Sequence, residues 1–257
     1  MQRTVILSRR CFMKVAGALL VTLTGTSALG GCASQTIDPV KDTDGQTGPD
    51  EAESRVQEEP VGTTDADAGA GAGNVLVAYF SYPETTEASD PDNLEPEEEN
   101  SAVVKDGKIY GNNEYVADII ARETGADTFR ILTTRTYPAD HQELIAQAKD
   151  EMNADDRPAL AEPIPDLSSY DTVFIGYPIW WGDLPPVMMS FLEQAELADK
   201  KVYLFNTHGG SGNAGTKETI KGILSDSDVS DDNLVISRDV VANSEPDVID
   251  WVHGLGL

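Results

Sequence analysis

Hydrophobic and polar positions along residues 74–257 predict an alternation of buried strands and helices. Short apolar runs of strand length occur at five places, which are 74–80, 128–133, 172–177, 201–206 and 233–237. Continuous apolar runs of this length are typical of strands buried on both faces of a sheet. Each run is followed by a segment of helical pattern, so the chain is expected to fold as an α/β sandwich with a parallel sheet.

The signals that begin and end these helices are local. Asn112 or Asn113 is expected to cap the helix after the first strand, and Gly125 is expected to end it. Pro185 and Pro186 are expected to begin a later helix, because proline is tolerated in the first helical turn. In a sheet of this kind, ligands bind outside the carboxyl ends of the strands.

Two loops at those carboxyl ends have unusual compositions. The first follows the strand over 172–177 and reads Pro178-Ile179-Trp180-Trp181-Gly182. Two adjacent tryptophans at the end of a strand are costly to expose unless a flat group packs on them. The second reads Thr207-His208-Gly209-Gly210, where glycines let the backbone approach a ligand closely. The residues leave open whether both tryptophans meet a ligand, or one is core and the other meets a partner protein.

The loop after the first strand is much longer and strongly acidic. Residues 83–110 contain nine acidic and two basic residues. An Asp-Gly pair lies between short apolar pairs in 101–111 and predicts a small hairpin. We interpret residues 82–110 as an insertion that leaves the loop as an outward excursion. The open alternative is that the site which the uninterrupted loop would form is lost.

The formal charge of −27, from 45 acidic and 18 basic residues, argues against nucleic-acid binding. Phosphate backbones need Lys and Arg to displace their counterions. The only cysteines, Cys11 and Cys32, lie near the N-terminus, so no disulfide or cysteine ligand is expected within 74–257.

The N-terminal residues resemble an export signal. Residues 8–14 read Ser-Arg-Arg-Cys-Phe-Met-Lys and are similar to a twin-arginine motif. A short apolar segment follows, and Leu29-Gly30-Gly31-Cys32 resembles a bacterial lipobox with Cys32 as the lipidated residue. We therefore predict a signal peptide over 1–32. Residues 33–73 carry ten acidic residues and few apolar ones, which predicts a disordered acidic linker.

Residues 74–257 resemble the flavodoxin-like family of small FMN proteins. The resemblance rests on Val-Leu-Val-Ala-Tyr-Phe-Ser at 75–81, Glu-Leu-Ile-Ala-Gln-Ala-Lys at 143–149, Phe-Ile-Gly-Tyr-Pro-Ile-Trp-Trp-Gly at 174–182 and Thr-His-Gly-Gly-Ser-Gly at 207–212. It implies a three-layer sandwich with a five-stranded parallel sheet of order 2-1-3-4-5 and FMN at the switch point.

The resemblance also implies which residues bind FMN. The ring site would comprise residues 178–182, written Pro178, Ile179, Trp180, Trp181 and Gly182, together with Thr207, His208, Gly209 and Gly210. The phosphate loop of flavodoxins is compact and rich in Ser and Thr, at a helix N-terminus. Here only Ser81 and Asn112-Asn113 remain, on either side of the insertion, and we expect them to cradle the phosphate.

Two functions follow as hypotheses. The first is a lipid-anchored extracytoplasmic FMN protein that transfers electrons or reduces a small acceptor. Because the sequence has no nicotinamide fingerprint and no nucleophile–base pair, its expected electron source is another redox protein. The second is a flavin-free surface lipoprotein that uses the same scaffold to bind a partner protein.

Overall fold

The computed structural model describes residues 4–7, 74–83, 90, 94, 100–138 and 140–257. The strands are β1 Thr4–Leu7, β2 Val75–Tyr79, β3 Ala102–Lys105, β4 Lys108–Gly111, β5 Asp127–Arg130, β6 Thr172–Pro178, β7 Lys201–His208 and β8 Asp228–Ser237. The helices are α1 Asn112–Thr124, α2 His141–Asn153, α3 Pro186–Gln194, α4 Thr216–Ile223 and α5 Glu245–Leu255, with a 3-10 helix over Arg238–Asn243.

The main sheet has the order β1-β8-β7-β6-β2-β5, and all its pairings are parallel. The last five of these strands are the five predicted ones. Numbered in chain order they follow the order 5-4-3-1-2, which is 2-1-3-4-5 counted from the other edge of the sheet. The predicted flavodoxin-like order is therefore confirmed. The order reverses at β2, where the chain first moves to β5 on one side and then to β6 on the other.

A sixth strand, β1, extends the sheet beyond the predicted five. It pairs with β8 in a register that joins Thr4 to Asn233 and Leu7 to Ile236. From the sequence this segment is expected to belong to the export signal, and no strand is predicted there. Four residues are too few for a periodic pattern to be recognised, so only the pairing with β8 reveals this element.

Each face of the sheet has its own core, because neighbouring residues of a strand point to opposite faces. On β6, Ile175 packs in one cluster with Phe191 of α3, and Phe174 packs in the other with Trp251 of α5. Gly176 is required on the same strand, since a Cβ there would lie 2.1 Å from Cζ of Phe205.

The N-terminus of α1 differs from the prediction. The capping residue is Gly111, and Asn112 and Asn113 are the first residues of the helix. The Glu114 carboxylate accepts a hydrogen bond from the Gly111 amide at 2.9 Å, and the Glu114 amide donates to Ser81 Oγ at 3.2 Å. Because Ser81 and Glu114 already satisfy these groups, neither asparagine is needed as a cap.

The predicted hairpin is present as the antiparallel pair β3–β4, joined by Asp106 and Gly107, which both have positive φ. The predicted signal motif, Cys32, the linker over 33–73 and most of 84–99 lie outside the described residues. Among the helices that the structure describes, none is both long and apolar enough to cross a membrane.

Candidate functional site

A cleft with a volume of about 260 Å³ opens at the carboxyl ends of β6 and β7. This volume is close to the lower end of the range for small-molecule sites, about 300 Å³. The residues that line it are Tyr82, Asn100, Ser101, Asn112, Asn113, Leu144, Ile145, Ala148, Pro178, Ile179, Trp180, Trp181, Thr207, His208, Gly209 and Arg238.

The two tryptophans after β6 have different environments. Trp180 packs edge-on against Phe80 and Tyr137, with ring centroids 5.4 and 5.2 Å apart, and so belongs largely to the core. Trp181 is 54% exposed and has a φ of 50°, in the left-handed region that bulky residues rarely adopt. Its ring is therefore the one presented to solvent at the cleft.

Two contacts with α2 fix the Trp181 ring. Its indole N–H donates to the Ile145 carbonyl at 2.8 Å. The Lys149 ammonium lies 4.6 Å from the ring centroid, a cation–π contact. Trp181 is exposed and yet held in one orientation, as a stacking platform must be.

His208 ends β7 and presents an unpaired ring nitrogen. Nδ1 accepts a hydrogen bond from the Gly210 amide at 2.9 Å, so the neutral ring carries its proton on Nε2. Nε2 is buried and has no partner among the described residues. Burial lowers the pKa of His208, and the Asp239 carboxylate opposes this shift without cancelling it. The site therefore contains a neutral imidazole with a free N–H donor.

Asn112 and Asn113, at the start of α1, leave two acceptors unused. The Asn113 side-chain amide donates to Thr207 Oγ1 at 2.9 Å, and that of Asn112 donates to the Asn100 carbonyl at 3.3 Å. Both Oδ1 atoms are buried without a partner in the described part of the chain. A buried polar atom left unpaired costs about 1–3 kcal/mol, so these positions favour a bound ligand that donates hydrogen bonds.

The two ends of the interrupted loop meet in the structure. Ser81 is buried and lies directly against Gly111, where a Cβ would be 2.2 Å from Ser81 Oγ. Only glycine allows this approach, which brings the end of β2 next to the start of α1. The residues that we expect to form the phosphate loop are thus adjacent in space although the insertion separates them in sequence.

Nine of the twelve residues proposed from sequence line the cleft. Ser81, Gly182 and Gly210 are placed beside it but do not line it. The structure adds Tyr82, Asn100 and Ser101, which all belong to the insertion over 82–110. The outward excursion stays a prediction, because most of 84–99 lies outside the described residues.

Four further lining residues were not predicted. Leu144, Ile145 and Ala148 come from α2, where their helical spacing indicated only a buried face. Arg238 immediately follows β8, and the rule that ligands bind at the carboxyl ends of strands would have singled it out.

Comparisons with known proteins agree with this fold. The solved structure of a candidate flavoprotein from Bacteroides eggerthii DSM 20697 is 24% identical, with a TM-score of 0.53, and the match covers 72% of this chain and 99% of that one. A second candidate flavoprotein, from Bacteroides uniformis ATCC 8492, is 23% identical with a TM-score of 0.54, over 71% and 99% of the two chains.

A flavoprotein in complex with FMN from Lactobacillus acidophilus NCFM is 20% identical with a TM-score of 0.45, over 70% of this chain and 99% of that one. A search of functionally curated proteins found no match. The flavodoxin family model matches residues 102–255, which is more than half of the chain. The chain therefore belongs to the flavodoxin family.

Proposed function

We propose that this chain binds FMN in the cleft beside Trp181 and acts in electron transfer or in the reduction of a small acceptor. The observation that carries the proposal is the set of unpaired buried atoms at one site: Asn112 Oδ1, Asn113 Oδ1 and His208 Nε2. Together with membership of the flavodoxin family, these atoms support the proposal that the cleft is the ligand site.

The polar atoms of the cleft fit the chemistry of FMN. The two asparagine oxygens are acceptors and suit the hydroxyl and N–H donors of the cofactor. His208 Nε2 is a donor and suits an acceptor atom on the ring or the chain. The Trp181 ring provides a flat aromatic surface that favours stacking by about 0.5–1.5 kcal/mol beyond the burial of area.

When bound, FMN would supply the electron-accepting and electron-donating chemistry. The chain's own residues would bind and orient it and set its electrostatic environment. We further propose that a separate redox protein exchanges electrons with this site. The strongly acidic composition supports steering of a basic partner, because opposite charges accelerate encounter at low ionic strength.

We also propose where the protein is located in the cell. The Ser8-to-Lys14 motif and the Leu29-to-Cys32 lipobox support export by the twin-arginine route and lipid anchoring at Cys32. The protein would then sit on the extracytoplasmic face of a bacterial membrane, with residues 33–73 as a tether. Because the twin-arginine route exports folded proteins, this location suits a domain that takes up its cofactor before export.

Flavin binding is tested by titrating the purified protein with FMN and following the quenching of flavin fluorescence. Trp181→Ala should weaken FMN binding about tenfold, because the stacking surface is lost. Val104→Ala is the matched control, since Val104 is another exposed apolar side chain but lies outside the cleft. Equal FMN affinities for the two variants would show that Trp181 does not contact FMN.

The alternative function predicts a different result in the same experiment. A flavin-free partner-binding lipoprotein would be colourless after purification and would not quench added FMN. That pair of results would overturn the proposal of an FMN protein.

A further inference from the structure

Arg238 is the one arginine of the described residues that has no acidic partner. The other four, Arg122, Arg130, Arg135 and Arg157, each form an ion pair with a carboxylate. Arg238 forms no ion pair with any described residue, although the chain has far more acidic than basic residues. An unpaired guanidinium in such an acidic protein indicates that its counter-charge is not part of the described fold.

The guanidinium of Arg238 is located at the cleft. Arg238 lines it together with His208 and Gly209. A Cβ added to Gly209 would lie 3.2 Å from both Cζ and Nη1 of Arg238, so the guanidinium rests directly on the Gly209 backbone. The absence of a side chain at residue 209 therefore makes room for the arginine beside the ligand space.

The N-terminus of α1 has already used several donors that a phosphate would need. The Gly111 amide donates to the Glu114 carboxylate, and the Asn112 amide donates to the Ser101 carbonyl at 2.8 Å. The Glu114 amide donates to Ser81 Oγ.

The side chains at this helix end do not replace those donors. Both asparagine side-chain amides are engaged in hydrogen bonds, and the atoms they leave unpaired are oxygens. The partial negative charge on these asparagine oxygens repels a phosphate, and the Glu114 carboxylate adds a full negative charge nearby. The cradle expected of Ser81, Asn112 and Asn113 thus offers a dianion fewer free donors than an uncommitted helix N-terminus would.

We propose that Arg238 binds the phosphate of FMN and supplements the donors that remain at the interrupted loop. The proposal rests on FMN binding as proposed above. A guanidinium can donate two parallel hydrogen bonds to a phosphate and keeps its charge at all physiological pH values. It is also the cleft-lining residue with a permanent positive charge.

The test compares FMN with riboflavin, which has the same ring and ribityl chain but no phosphate. Affinities of both are measured by fluorescence quenching for the full-length wild-type protein and for Arg238→Gln. Loss of a charged hydrogen-bonded pair should weaken FMN binding about 10- to 100-fold. Riboflavin binding should change less than about twofold, because the lost group meets only phosphate.

Two further variants sharpen the result. Arg238→Lys keeps the charge and should recover part of the FMN affinity, without the paired geometry. Arg122→Gln removes one positive charge from an exposed ion pair outside the cleft and should leave both affinities unchanged. In the wild type, inorganic phosphate should compete with FMN but not with riboflavin.

The outcomes separate this inference from the proposed function. Equal losses of FMN and riboflavin affinity in Arg238→Gln, with an unchanged thermal unfolding curve, would place Arg238 at the ring and overturn the inference. Unchanged FMN affinity would overturn it as well. In both cases flavin binding by the wild type would still support the proposed function. A wild type that binds neither flavin would overturn both.

Discussion

At the scale of single residues, protonation of His208 makes the stability of the folded chain depend on pH. Its ring accepts the Gly210 amide at Nδ1 and is buried, so the fold favours the neutral form and its pKa is lowered. A protonated ring loses this acceptor, because both nitrogens then carry protons. Protonation of His208 is therefore less favourable in the folded state than in the unfolded chain, where its pKa is about 6.5.

The expected result is a loss of stability on the acid side. Below about pH 6.5 the unfolded chain takes up a proton at His208 before the folded chain does, so the free energy of unfolding falls as pH falls. Above that pH His208 contributes no pH dependence. Denaturant unfolding of the flavin-free protein at pH 7.5 and 5.5 measures the fall, which should be smaller in His208→Gln. Identical falls in the two proteins would contradict the assignment.

Sequence alone located most of the candidate site but not the roles within it. The Trp180-Trp181 pair marked a loop that lines the cleft. Which ring is core and which is exposed depends on the positive φ of Trp181 and on Phe80 and Tyr137, which are distant in sequence. The position of Arg238 at the end of a strand could have marked it, but a single arginine there is ordinary until the sheet places it beside Gly209.

At the scale of elements, the junction between β2 and α1 depends on one glycine. Gly111→Ala would place a Cβ 2.2 Å from Ser81 Oγ and 3.4 Å from the Tyr82 carbonyl. Such overpacking typically costs about 1–3 kcal/mol. We expect a lower midpoint of thermal unfolding and weaker flavin binding, because the start of α1 must move away from β2.

Gly222→Ala provides the matched control for this prediction. Gly222 lies in α4, and an added Cβ would have no neighbour within 4 Å. Alanine favours a helix over glycine by about 0.5–1 kcal/mol, so this variant should be as stable as the wild type or more stable. Equal destabilisation by the two alanines would show that close approach at Gly111 is not the cause.

The sequence predicted the elements well where several residues repeat a pattern. The five strands, the β3–β4 hairpin and the end of α1 at Gly125 all followed from periodicity or turn chemistry. The cap of α1 was wrong, because Ser81 reaches it from the end of β2, across the insertion. Contacts of that kind depend on tertiary structure and leave no mark on local sequence.

At the scale of the whole molecule, the proposed lipid anchor predicts in which cell fraction the protein is found. Cys32→Ser should move the protein from the membrane fraction to the soluble fraction, because the acyl chains have no attachment point. Flavin content of the folded domain should not change. Immunoblotting of fractionated cells measures the distribution, and replacement of Arg9 and Arg10 by lysine should instead retain the protein in the cytoplasm. A membrane-bound Cys32→Ser protein would contradict the lipid anchor.

In the full-length chain, β1 covers the outer edge of β8. The processed chain that we propose would lack this strand. The proposed cleavage before Cys32 would remove Thr4–Leu7 and leave β8 as the outer strand, with unpaired N–H and C=O groups along it. Such an edge favours pairing with a second copy of the protein. Asp228 and Asp231 on β8 are paired with Lys201 and Lys221, and both precede the segment that β1 covers. We therefore expect the processed chain to expose, over residues 233–236, a strand edge that can pair with a second copy.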